Sequence, residues 1–167
     1  MHKSLLIIAL CLSSCAGYQL GGSKPSSLSH VHSIHVPLFK NDTLFVRAES
    51  YATNTMIDAL TRDGTYRIST AESADAVFKA NISDLDYGQV SSTRDDSLSS
   101  EEISLVISID WSLVDALNPS RVLEEGRSTG RTTFFARGNL NIARTNALPD
   151  ALQRACESIA SRLANGF

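Results

Sequence analysis

The sequence predicts an α+β fold, a two-layer sandwich in which two amphipathic helices lie on one face of a mixed, mostly antiparallel sheet, in the order β-α-β-β-β-β-α. Three observations predict it. Ile103, Leu105, Ile107, Ile109, Trp111 and Leu113 alternate with Ser104, Ser108, Asp110 and Ser112, the period-two pattern of a strand with one apolar and one polar face. Two stretches, around residues 44–60 and 148–163, repeat apolar side chains every three to four positions, as a helix with one buried stripe does. At 43% hydrophobic and 20% charged, the 167 residues have the composition of one soluble domain with one core, and no internal period suggests repeats.

Taken in order, Ile34, Val36 and Leu38 alternate with His35 and Pro37 inside Val31–Phe39, a strand that Pro37 restricts to an edge or an end. Asn41, Asp42 and Thr43 are helix N-caps, and Leu44, Ala48, Tyr51, Ala52, Thr55, Met56, Ala59 and Leu60 form the stripe that follows, with Gly64 as the stop. Tyr66–Ser69 is a second short strand. Because a helix separates it from the first, parallel pairing through a right-handed crossover is the default. Ala76–Tyr87 is a third strand, and Gly88–Ser100 reads as a long polar loop whose length hints at function. After the alternating strand, Asn118-Pro119 turns the chain and Arg121–Phe135 returns, with Gly126 and Gly130 marking bulges or close approaches. Gly138–Asn146 reads as a loop. Asn146 then caps a helix with Pro149 near its first turn, a stripe of Leu148, Leu152, Ala155, Cys156, Ile159 and Leu163, and an end at Gly166. The polar face around Ser104, Ser108, Asp110 and Ser112 is left to meet water or a partner.

The N-terminus has its own logic. His2 and Lys3 precede the apolar run Ser4–Leu12, about half of the ~20 residues a membrane-spanning helix needs, so residues 1–14 read as a cleaved export signal. Leu12-Ser13-Ser14-Cys15 resembles the bacterial lipobox, which makes Cys15 the acylated residue. Two or three acyl chains give firm anchoring where a single one is marginal. Ala16 in place of Asp favours the outer membrane under the lipoprotein sorting rule. Residues 15–29, with Gly21-Gly22 and Pro25, form a flexible tether, and the single domain is expected to occupy residues 30–167.

Catalysis is not expected. His30, His32 and His35 cannot share one face of a strand, so they do not make a metal site. No nucleophile elbow, zinc-protease helix or phosphate loop occurs. Asp95-Asp96, Glu101-Glu102 and Glu124-Glu125 are sequence neighbours with nothing to split their pKa values. With Cys11 lost and Cys15 acylated, Cys156 has no disulfide partner and reads as a buried small hydrophobe. The net charge of -3, or -4 after removal of Lys3, argues against bulk attraction to nucleic acid or anionic lipid. No cofactor is implied.

Charge is unevenly placed. Asp84–Glu102 carries a local net of -5, whereas Arg121–Arg144 carries +3, with arginine as its sole cation. Arginine's planar fork suits a two-point grip on phosphate or carboxylate. Arg127, Arg131, Phe134, Phe135 and Arg137 are therefore the candidate contacts for a ligand both anionic and greasy. The competing reading is a solvated strand face whose arginines pair with Glu124, Glu125 or the acidic loop.

Several segments together resemble a known family: Cys15-Ala16-Gly17-Tyr18-Gln19-Leu20, then Ile34-His35-Val36-Pro37-Leu38-Phe39-Lys40-Asn41-Asp42-Thr43, then Asp63-Gly64-Thr65-Tyr66-Arg67-Ile68 and Ala74-Asp75-Ala76. They look like the LptE family of lipopolysaccharide-assembly lipoproteins. The resemblance implies the same two-layer fold, a place as a plug inside an LptD-type β-barrel, attachment to the outer membrane on its periplasmic side, and delivery of lipopolysaccharide, whose phosphates and acyl chains suit the arginine- and phenylalanine-bearing hairpin. The alternative is a periplasmic lipoprotein that serves as scaffold or regulator of a peptidoglycan synthase or a secretion pore.

Overall fold

The computed structural model describes residues 24–91, 102–135 and 139–166. Strands β1 (Ser33–His35) and β2 (Lys40–Asn41) precede helix α1 (Ala48–Asp63). Strands β3 (Arg67–Ile68), β4 (Ala76–Ser91), β5 (Glu102–Asp115) and β6 (Val122–Phe135) follow, and helix α2 (Leu140–Asn165) closes the order. The expected sequence of elements is therefore present, with the first strand split in two around Pro37, which has no N–H to offer a ladder.

The six strands form one mixed sheet in the order β3-β1-β4-β5-β6, with β2 also on β4. The β4–β5 and β5–β6 pairings are long and antiparallel, while β1 pairs in parallel with β3 and β4, and β2 in parallel with β4. The sheet is thus antiparallel along most of its length but partly parallel at one side. Helix α2 lies across β5 and β6, and α1 packs beside it. Between the helices and the sheet sit Phe78, Ile82, Leu105, Ile107, Ile109, Leu113, Met56, Leu60, Leu152 and Ile159, all essentially inaccessible. Burying side chains of this size stabilises the fold by about 1.5–3 kcal/mol each.

Polar bonds pin the edges of this core. The Asp75 carboxylate accepts from the backbone N–H groups of His32 and Ser33 at 2.8 and 2.9 Å, fixing the start of β1 against β4. These bonds hold its pKa below the usual carboxylate range. The Tyr66 hydroxyl donates to the Leu163 carbonyl at 2.7 Å, and Lys24 lies over the Tyr66 ring and donates to the Val31 carbonyl. The chain therefore enters the domain beside the C-terminal end of α2.

Both helices end where their glycines predict, Gly64 at φ +78° and Gly166 at φ +81°, each closing back on the preceding turn. Their starts differ from expectation. Asn41 does not cap α1: its Oδ1 accepts from the Thr43 N–H and hydroxyl, a local turn that competes with helix. The helix begins at Ala48 after Arg47 at φ +69°, so Leu44 lies outside it and fully exposed, and Tyr51 is half exposed. Helix α2 begins at Leu140, capped by Asn139 in place of Asn146, and carries Pro149 in its interior. Strand β4 runs on to Ser91, beyond Tyr87, and the rest of the expected 88–100 loop lies outside the described residues. Gly126 and Gly130 are close approaches to α2, and the irregularity of the β5–β6 ladder falls at Leu113/Val114.

Candidate functional site

Alternation fixes what each sheet face presents. Along β5, Ile103, Leu105, Ile107, Ile109, Trp111 and Leu113 turn to the helices, and Ser104, Val106, Ser108, Asp110 and Ser112 turn away and stay half exposed. A register shift at Ser83 in β4 places Lys79 and Asn81, then Asp84 and Asp86, on that same outer face. On β6 the outer row is Glu125, Arg127, Thr129, Arg131, Thr133 and Phe135. The result is a broad face of hydroxyls and charges with few apolar groups.

Among the described residues this face holds one ion pair. Arg127 stands opposite Asp110 and donates through Nε and Nη2 to the two carboxylate oxygens at 2.6 and 2.8 Å. The hydrogen bonds from Arg127, with help from the Ser83 hydroxyl, draw the Asp110 pKa down to about 2. Arg131 follows four residues on, exposed and without an ion pair to a described residue, and Phe135 ends the row half exposed.

The five hairpin candidates are therefore not one cluster. Arg127, Arg131 and Phe135 share the outer face. Phe134 points to the helix side, where its ring meets Tyr87 edge-on at 6.4 Å between centroids. Arg137 and Cys15 lie outside the described residues. The acid that engages Arg127 is Asp110, on the neighbouring strand, rather than Glu124, which accepts from Arg162 at 3.0 Å.

The last arginine of the basic Arg121–Arg144 run lies outside the five candidates. Arg144, in the second turn of α2, places its guanidinium 4.3 Å from the centre of the Tyr87 ring, and its Nε is shielded from solvent with no hydrogen-bond partner. Burial raises the Tyr87 pKa, and the Arg144 charge opposes that rise. The contact joins residues 57 positions apart, so no local pattern announces it. Tyr87 and Arg144 line a cleft of about 810 Å³, with Leu44, Val46 and Tyr51 on its other side.

Among the described residues no group of three or more His, Cys, Asp or Glu side chains is placed to hold a metal, and no helix is long and apolar enough to cross a membrane. Helices back one face of the sheet, and among the described residues no element covers the polar face. The chain belongs to the LptE lipopolysaccharide-assembly family, whose model matches residues 31–165. No curated protein sequence matches it.

Solved structures share the fold. A PelC variant from Paraburkholderia phytofirmans, a dodecamer, is 14% identical with a TM-score of 0.55, covering 86% of this chain and 94% of its own. A neuraminyllactose-binding hemagglutinin homolog from Helicobacter pylori is 12% identical at TM-score 0.53, covering 87% and 90%. A minor lipoprotein from Acinetobacter baumannii is 9% identical at TM-score 0.52, covering 80% and 92%. At such identities the likeness is one of fold.

Proposed function

We propose that this chain is a non-catalytic lipoprotein of lipopolysaccharide assembly, anchored to the outer membrane through Cys15, whose domain seats in the lumen of an LptD-type β-barrel. The observation that carries this reading is the outer face of β4, β5 and β6, uncovered among the described residues, where Ser104, Ser108, Ser112, Thr129 and Thr133 share the face with the Asp110–Arg127 pair. Barrel interiors are polar, and such a face can lie against one without burying unpaired apolar surface. Family membership supplies the process, and the entry of the chain beside the end of α2 supplies a fixed end for the tether.

Within this reading, lipopolysaccharide meets the β6 end of the face. Arg131 and Phe135 offer a charge and an aromatic ring there, with Arg137 close in sequence, Arg127 oriented by Asp110, and Phe134 packed behind them on Tyr87. Affinity purification of the full chain from outer membranes should recover a large β-barrel protein, and depletion should lower surface lipopolysaccharide. Recovery of an inner-membrane peptidoglycan synthase or a secretion pore, with surface lipopolysaccharide unchanged, refutes the reading. Cys15→Ser should abolish palmitate labelling. Joint change of Arg127, Arg131 and Arg137 to Glu should weaken lipopolysaccharide binding while the domain stays folded.

A further inference from the structure

We infer that the free edge of β4 beside β2 is a docking groove for an extended polypeptide segment, which joins the sheet there as an added strand. Strand β4 is 16 residues long, yet among the described residues its edge away from β5 is flanked only at Ala76–Val77 by β1 and at Asn81–Ile82 by β2. The last backbone bond along that edge runs from the Asp42 N–H to the Ile82 carbonyl at 3.0 Å. Past the register shift at Ser83, no described strand borders Asp84–Tyr87. A bare edge of this kind offers regularly spaced donors and acceptors to an incoming strand.

The edge forms one wall of the cleft lined by Leu44, Val46, Tyr51 and Arg144. Leu44 is 101% exposed and Val46 79%, so this wall holds apolar surface out to solvent. The loop that does so is held in shape by the Asn41–Thr43 bonds and by Arg47 in the left-handed region. Strand alternation then specifies the occupant. Its inward side chains meet Leu85, Tyr87 and Arg144, and its outward ones meet Asp84 and Asp86, so the fitting segment alternates apolar or acidic residues with basic ones. Arg47 and Arg144 make no ion pair with a described residue and are available to the acidic positions. A lipid would use the apolar wall and the arginines but not the backbone edge, which favours a polypeptide.

The test titrates the full chain in detergent with a synthetic decapeptide alternating leucine or glutamate with lysine, and with the same peptide N-methylated at alternate amides. The plain peptide should bind and slow amide hydrogen exchange across Asp84–Tyr87. N-methylation should weaken binding about tenfold or more, because it removes the backbone donors that pair with the β4 edge. Val46→Asp and Arg144→Glu should each weaken it by about tenfold, with far-ultraviolet dichroism unchanged in both and thermal unfolding unchanged in Val46→Asp. Equal affinity for both peptides, no exchange protection, or full displacement by dodecyl phosphate from an N-methylation-insensitive site would overturn the proposal.

Discussion

Gly130 of β6 lies against Ala151 of α2 so closely that a methyl group added to the glycine would stand 1.8 Å from the Ala151 carbonyl oxygen. The obstacle is helix backbone, which cannot swing aside as a side chain can. Gly130→Ala should therefore force α2 off the sheet and cost about 3 kcal/mol or more, at the upper end of overpacking penalties. Urea unfolding should show a lower midpoint than for Gly88→Ala, where the nearest atom is the Ser104 hydroxyl at 3.0 Å. Equal midpoints for the two variants would contradict the packing.

The Asp110–Arg127 pair makes a pH-dependent contribution of defined sign. The folded Asp110 pKa, about 2, lies below the ~3.9 of an unfolded aspartate. Its stabilisation is therefore complete above pH ~4 and is lost as pH falls through the folded value. Both side chains are substantially exposed, so salt should screen the effect and its size should be small. Carbon-detected NMR of the Asp110 carboxyl should give a midpoint near 2 in the wild type, moving toward 4 in Arg127→Ala. A wild-type midpoint already at 4 would remove the pair from the account of this face.

Parts of this molecule are legible in its sequence for clear reasons. The alternation from Ile103 to Leu113 maps directly onto β5, because each of its two faces has one solvent environment. Gly64 and Gly166 end the helices because a left-handed residue is cheap only for glycine. The starts are harder to read: Asn41 and Asn146 are competent caps, but the first is spent on a turn and the second lies inside α2. Phe134 and Phe135 adjoin in sequence yet face opposite sides of β6, and the Arg144–Tyr87 contact exists only once α2 is laid across the sheet. The fold was thus largely readable from periodicity, whereas the composition of the site depends on register and on tertiary packing.

The early start of α2 can be tested at its cap. The Asn139 side chain accepts from the Asn141 and Ile142 N–H groups at 3.0 and 3.4 Å, satisfying two amides that the helix leaves unpaired. Asn139→Ala should lose about 1 kcal/mol, the usual cost of an N-cap, and should speed amide exchange over Asn141–Thr145. Asn146→Ala should change neither, since that residue is exposed within the helix. The reverse result would restore a helix that begins at residue 146.

Cys156 faces α1 from α2, wholly buried, with its thiol 3.8 Å from the Ala52 carbonyl oxygen. Burial pushes its pKa up to about 12, with the nearby Glu157 charge adding to the rise. An unfolded thiol ionises near ~8.5, so this group's contribution to stability is complete below that pH and is lost as pH rises toward the folded value. Urea midpoints of the wild type should therefore fall more steeply between pH 8 and 10 than those of Cys156→Ala. A disulfide reagent at pH 8 should label the native chain only as fast as it unfolds, because the reactive thiolate does not form inside the core. Rapid labelling of the folded protein would show instead that α1 and α2 separate in the native state, and with them the packing that leaves the opposite sheet face free to bind.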